Sequence, residues 1–398
     1  MSIRLALAAM GAVLALALAS AGYAAESTGS PFYGDPPDDH HPWAIHDQNR
    51  PQPKVVTPGT FSAPEQPGKP PSDAIILFDG KDLSKWEADK PGGGPSKWIV
   101  KDGAMECTPG SGYIRTKDQF GDCQLHIEWA APKDVKGDSQ GRGNSGIFLE
   151  GICEVQVLDN YNNPTYADGA AGSVYGVNPP AANPLNPPGQ FQVVDIIFRR
   201  PIYKDGKCMD PGWVTVFLNG VVVQDHTQLE GSTGHMKRTK PGAFPDKGLL
   251  KLQDHGNPVR FRNIWYRELP LRAAEGGTDG PLSVEATMAK RKEIAATVRQ
   301  DAAKLKDPAN PLPELMRLME SLVYEKDEPT VQKVQEMAGQ YAAGVKALPP
   351  DKIGAKKDDV KRLNGAFQYL ARFNILPATF APKVEIEKIV KDHGWDKR

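Results

Sequence analysis

Between Trp213 and Asp225 the chain reads WVTVFL-NG-VVVQD, two alternating runs of β-branched and aromatic residues joined by Asn219-Gly220. Asn-Gly accepts positive φ at both centres of a tight turn, so the stretch is committed to an antiparallel hairpin. An isolated pair of strands is barely stable in water, and such a hairpin needs further strands to cover it. The neighbouring sequence supplies them. AIILFDG, KWIV, AMEC, YIRT, QLHIEWA, GIFLE, CEVQVLD, FQVVDIIF, GLLKLQD and VRFRNIWYREL follow as short β-rich runs separated by turn residues. No helix-length periodicity interrupts them. About ten or eleven strands across residues 73–270 predict an all-β, two-sheet sandwich or jelly roll.

Side chains alternate along a strand, which assigns each residue a face. In CEVQVLD, after the glycine-rich turn Gly141-Arg142-Gly143-Asn144-Ser145-Gly146, Val155 and Val157 point into a core and Glu154 and Gln156 away from it. In QLHIEW, Leu125, Ile127 and Trp129 share one side, leaving His126 and Glu128 on the other. Leu250 and Leu252 go inward while Lys251, Gln253 and His255 go outward; Phe261 is expected inside, with Arg260 and Arg262 opposite. If these strands are neighbours, one sheet face carries carboxylates, amides, imidazoles and guanidinium groups, a set suited to vicinal sugar hydroxyls. An ordinary solvated sheet face is the alternative.

Several chemistries are excluded. With 48 Lys plus Arg against 49 Asp plus Glu, there is no electrostatic footprint for nucleic acid or an acidic membrane. Jelly-roll β-glucanases use an alternating Glu-x-Asp-x-x-Glu run. The nearest match is Glu154-Val-Gln156-Val-Leu-Asp159, acidic at only two of the three places, which removes the usual two-carboxylate apparatus. No Gly-x-Ser-x-Gly turn offers a serine nucleophile. Cys107, Cys123, Cys153 and Cys208 show no zinc-type spacing. In an oxidising compartment they are expected to form two disulfides, with three pairings open and buried free thiols as the alternative.

The flanks differ. Arg4 and the apolar LALAAMGAVLALALASAGYAA predict a signal peptide over residues 1–24, with cleavage after Ala24 or Ala21. The protein is therefore expected to be exported to the periplasm or the cell exterior, with no membrane association after cleavage; an uncleaved anchor is the alternative. Residues 25–72 are Pro-rich without apolar periodicity, an extended arm in which His40, His41 and His46 are expected to form an exposed, adventitious cluster, with a metal tract as the alternative. Beyond the linker RAAEGGTDGPLS, stripes such as Val284, Met288, Arg291, Ala295, Val298, Ala302 and Leu305 predict four or five helices over 282–392. That region is expected to pack on the β-domain or to bind a protein partner.

Seven segments in order, Ile76-Leu-Phe-Asp-Gly-Lys-Asp-Leu-Ser-Lys-Trp86, Trp98-Ile-Val-Lys-Asp-Gly103, Gln124-Leu-His-Ile-Glu-Trp129, Gly143-Asn-Ser-Gly-Ile147, Glu154-Val-Gln-Val-Leu-Asp159, Tyr175-Gly176 and Leu252-Gln-Asp-His-Gly256 with Phe261-Arg-Asn-Ile264, resemble the secreted 3-keto-disaccharide hydrolase family. The resemblance spans about residues 74–269. It implies a concanavalin A-like jelly roll and cleavage of glycosides already oxidised to a ketone at C3. A C3 ketone acidifies the C2 proton, so a base removes it, the C1 substituent leaves, and water adds. On that basis Glu154 and His255 are the candidate catalytic base, acid or metal ligands. His126, Glu128, Asn144, Gln156, Gln253 and Arg262 are the candidate substrate-binding residues. A divalent metal ion of unknown identity is a candidate cofactor and no nucleotide is expected. Relatives often carry an aromatic just before the glutamate, where this chain has Cys153, so stacking there is in question and a disulfide is a candidate replacement. A non-catalytic carbohydrate-binding module with a helical docking tail, and a conventional glycosidase on unoxidised glycans, are the alternatives.

Overall fold

The computed structural model describes residues 31–397 apart from residues 230, 239, 241 and 279, so the leader read at residues 1–24 lies outside the described residues. The chain divides into two compact units. One holds residues 52–283; the other runs from Val284 onward and includes the N-terminal segment up to Pro51.

The first unit is a β-sandwich of two antiparallel sheets, with a separate small hairpin of Ile202–Lys204 and Lys207–Asp210. The larger sheet runs Val221–Gln228, Trp213–Leu218, Gln192–Arg199, Cys123–Ala130, Arg260–Glu268, Ala104–Glu106 and Ile99–Lys101, with Ile75–Phe78 also paired to Arg260–Glu268. The smaller runs Trp86–Ala88, Ile114–Thr116, Lys251–Leu252, Ser145–Leu149 and Cys153–Val157. At the hairpin turn φ is +49° for Asn219 and +76° for Gly220, the left-handed pair that Asn-Gly favours. Leu125, Ile127, Trp129, Ile196, Phe198 and Phe261 of the larger sheet meet Ile114, Ile147, Leu149, Val155 and Leu252 of the smaller in one buried core. Each such side chain contributes roughly 1.5–3 kcal/mol on leaving water.

Two outer faces result, and they point in opposite directions. This corrects the expectation of a single polar face. His126, Glu128 and Arg262 stand on the larger sheet, whereas Glu154 and Gln156 stand on the smaller. The inward and outward assignments hold, but the strands fall into two groups: Cys123–Ala130 beside Arg260–Glu268 in the larger sheet, and Lys251–Leu252 with Cys153–Val157 in the smaller.

The expected disulfides are absent. All four cysteines are free, Cys107, Cys123 and Cys153 buried and Cys208 exposed. Cys153 alternates with Glu154 and therefore faces the core, where burial pushes its thiol up to about 12. A larger side chain at that position would enter the core and not the outer face, so neither stacking on that face nor a disulfide is at issue there.

The Pro-rich segment is shared between the units at Pro51. Its first part packs on the helices: Asn49 Nδ2 donates to Glu320 Oε1 at 2.7 Å, and the Tyr324 hydroxyl donates to Asp47 Oδ2 at 2.7 Å. Its second part folds back on itself, with Thr60 N donating to Lys69 O at 2.9 Å, and straps the outer face of the larger sheet. Ser62 Oγ donates to Glu128 Oε1 at 2.7 Å, and Arg262 Nη2 to Ala63 O at 2.9 Å. Packing thus replaces the free arm read from composition.

The second unit contains helices Val284–Lys304, Leu312–Tyr324, Glu328–Lys346, Lys357–Arg372 and Ala381–Asp392, with a short turn at Pro350–Ile353. Val360, Leu363, Phe367 and Leu370 are buried as their spacing predicts, while Val284, Met288 and Leu305 of the first stripe are exposed. The buried face of that helix is instead Thr287, Ile294, Ala295, Val298 and Ala302.

Candidate active site on the smaller sheet

Cross-strand pairing sets Phe148 opposite Glu154 and Gly146 opposite Gln156. The polar pair in CEVQVLD therefore stands beside an aromatic ring and a gap. The gap is needed, because a Cβ on Gly146 would come within 2.2 Å of Glu154 Oε1 and 2.8 Å of the Phe148 ring. The far edge of Cys153–Val157 is paired with loops. Tyr175 N donates to Glu154 O at 3.1 Å and Gln156 N to Ser173 O at 3.0 Å, while Glu154 N donates to Thr233 Oγ1 at 3.0 Å. These bonds seat Tyr166, Tyr175 and His235 around a cleft of about 490 Å³.

Asn144, Glu154, Gln156, Gln253 and His255 all line this cleft. His126, Glu128 and Arg262 do not; they hold the strap on the opposite side of the sandwich. Glu154 is 5% exposed, and burial pushes its carboxyl from the ordinary 4.5 up to about 8. A carboxylate desolvated without a cationic partner is held in a form able to take or give a proton near neutrality. No other carboxylate is among the described lining residues; Asp168 lies in the adjoining recess behind Tyr166 and Tyr175.

Amides surround that carboxyl. Asn144 Nδ2 donates to Gln140 O at 2.8 Å, and Gln156 Nε2 to Gln140 Oε1 at 3.2 Å. Gln253 Nε2 donates to the Tyr113 hydroxyl at 2.7 Å, while its Oε1 is buried without a partner. Such an orphaned acceptor costs about 1–3 kcal/mol, which an arriving hydroxyl would offset. The Tyr175 hydroxyl bonds the Tyr166 hydroxyl at 2.8 Å and His235 Nδ1 at 2.9 Å. Burial, then the Tyr166 hydroxyl, raise its pKa, so it stays protonated. His255 is exposed, on a loop fixed by Asp254, which accepts from Gly112 N and Gly256 N, each at 2.9 Å.

Sequence reasoning missed the aromatic and loop members of the cleft. Phe148 was within reach, since alternation with Ile147 sends it outward. Tyr175 was flagged only by its motif. Tyr113, Gln140, Tyr166, Thr233 and His235 come from turns and loops that carry no periodic signal.

Gly146→Ala is expected to drive the Glu154 carboxyl from its pocket toward water, lowering its pKa from about 8 toward 4.5. Carboxyl ¹³C NMR titration reads this directly. An unshifted titration would show that Gly146 does not set the environment of Glu154.

A family model described as a 3-keto-alpha-glucoside-1,2-lyase-like domain matches residues 73–267. A 3-keto-disaccharide hydrolase of Bacteroides thetaiotaomicron is 27% identical over 239 residues, covering 49% of this chain and 78% of that protein. A crystal structure from Parabacteroides distasonis, provisionally described as a glycosyl hydrolase, is 47% identical. It covers 55% of this chain and 93% of its own, with a TM-score of 0.52.

Proposed function

Because residues 73–267 belong to the 3-keto-disaccharide hydrolase family, a glycoside hydrolase-type, carbohydrate-active lineage, we propose that the Glu154 cleft cleaves glycosides carrying a C3 ketone. The observation that carries this reading is the solitary, desolvated carboxyl of Glu154, pushed up to about 8. Hydrolysis of an unoxidised glycoside needs two carboxyl groups flanking the bond, and the described lining supplies one. Elimination next to a ketone needs one base.

In the proposed reaction ionised Glu154 takes the C2 proton, and the electron pair moves toward the C3 oxygen as an enediolate. Amide N–H groups from Asn144 and Gln156 are placed to bind that oxygen. The enediolate then expels the C1 oxygen, which takes a proton from His255, and the Tyr175–His235 pair is the nearby reserve of protons. Water adds at C1 of the resulting enone while a proton returns to C2, so the net change is hydrolysis. Positioned acid–base groups are worth roughly 10²- to 10⁴-fold each. Phe148, Tyr113 and Tyr175 offer ring faces to the sugar.

The described residues contain no cluster of three or more His, Cys, Asp or Glu suited to a metal. A divalent cation would instead draw on Glu154, His255 and the unpartnered Gln253 Oε1, and would supply polarisation of the ketone. We also read the sandwich as the concanavalin A-like jelly roll and the protein as exported, on the strength of the two face-to-face antiparallel sheets and the leader-like start of the chain.

The test is incubation with a 3-keto-glycoside and with its unoxidised parent, each with and without chelator. Release of 3-ketoglucose from the oxidised substrate alone is expected. Release from the parent would favour a conventional glycosidase, and release from neither would leave a binding module.

A further inference from the structure

On the side of the sandwich away from Glu154, the strap leaves a second cavity of about 710 Å³ between itself and the larger sheet. Its floor is one cross-strand row. Trp265 pairs with His126, His126 with Asp195, and Asp195 with Phe217 in register across four adjacent strands, so all four side chains share the outer face. The Trp265 and His126 rings stack at 4.8 Å with 7° between their planes. Opposite them, on the strap, Phe61 is fully exposed, although its neighbours on both sides are pinned by Thr60 N to Lys69 O and by Ser62 Oγ to Glu128.

Phe61 also lines the cavity together with Phe217 and Trp265, so aromatic rings stand on both of its walls, an arrangement able to take a flat ligand between them. The polar groups beside it are set up to receive one. Asp195 Oδ1 accepts from His126 Nδ1 at 2.7 Å, and the side chain is 38% exposed and lines the cavity. Gln124 accepts from Arg267 with Oε1 at 2.9 Å, keeping its amide N–H groups for another partner. The charges at the floor are offset, since His126 lies between Asp195 and Glu128 and Arg262 pairs with Glu128 at 2.7 Å, while the exposed Lys69 stands in the lining on the strap side. An uncharged ligand with hydroxyls on its rim and a flat apolar face suits this lining.

We propose that this cavity is a second carbohydrate-binding site, taking one or two residues of a neutral glycan between Phe61 and the Trp265–Phe217 row. It does not depend on the chemistry assigned to Glu154. A site here would hold a polymer on one face of the sandwich while the cleft on the other remains free.

Calorimetric titration of the full chain with maltotetraose and with cellotetraose tests it, using Phe61→Ala, Phe61→Trp and the cleft variant Asn144→Ala. At least one glycan is expected to bind. Phe61→Ala is expected to weaken binding roughly 3- to 10-fold with an unchanged unfolding midpoint, because the ring supports nothing in the fold. Phe61→Trp restores the affinity and Asn144→Ala leaves it intact. Absence of binding to either glycan overturns the proposal. So does affinity that is lost in Asn144→Ala and untouched by Phe61→Ala.

Discussion

Glu154→Gln is expected to lower release of 3-ketoglucose by roughly 10²- to 10⁴-fold, the usual contribution of one acid–base group, while leaving the fold intact or firmer. The substitution keeps shape and volume and removes only the ability to ionise. Its stability effect has a definite sign. Wild-type Glu154 titrates near 8 folded against an ordinary 4.5. The folded state therefore holds the proton more tightly, and stability present below pH 4.5 is lost as pH rises through 8. Glutamine carries no such loss. At pH 7 the variant should be more stable by on the order of 2–3 kcal/mol. Activity runs the other way: as the base, Glu154 should make wild-type kcat/KM rise about tenfold per pH unit below 8 and level off above. A variant that keeps turnover, or a wild-type profile flat from pH 6 to 9, would remove Glu154 from the mechanism.

Glu128→Ala should destabilise the β-unit strongly, and it should leave the chemistry alone. Glu128 is 0% exposed and accepts from Arg262 Nε, Asn263 Nδ2 and Ser62 Oγ, each at 2.7 Å. Removing it leaves the Arg262 guanidinium with only strap carbonyls and no carboxylate, and takes one carboxylate from the His126 ring. Breaking a buried pair this way costs about 3–5 kcal/mol, roughly 10 °C in Tm for a unit of this size. Burial disfavours the His126 imidazolium, but Asp195 and Glu128 outweigh it and hold the ring up to about 9 from 6.5. Its contribution is full below pH 6.5 and fades as pH rises through 9, so the variant should show a flatter alkaline decline in Tm. The strap should become the first site of proteolytic cutting. Because the Glu154 cleft is on the other sheet, kcat of the folded fraction should be unchanged. A fall in kcat without a fall in Tm would place Glu128 in the catalytic machinery.

These outcomes separate what was legible in the chain from what was not. Strand alternation is local: each residue's face follows from its neighbours two positions away. The outward placing of Glu154, Gln156, Gln253, His126, Glu128 and Arg262 could therefore be read directly, as could the Asn219-Gly220 hairpin, whose φ values are a property of the dipeptide. The family motifs pointed to the lineage, and through it to the C3-ketone chemistry proposed above, which no periodicity carries.

Sheet membership is not local. QLHIEW and CEVQVLD look alike, but hydrogen bonding assigns one to each sheet, and two sheets packed on a common core must turn their polar sides apart. Only that packing divided the eight candidates into five that line a common cleft and three that anchor the strap. It also made the Pro-rich segment a strap, because Glu128 and Arg262 offer it buried partners that composition does not reveal. The pKa of Glu154 has the same origin. Its neighbours in sequence are valine and cysteine, but it is buried in a cleft whose walls, Phe148 on the paired strand and Tyr166, Tyr175 and His235 on loops, are adjacent to it only when folded.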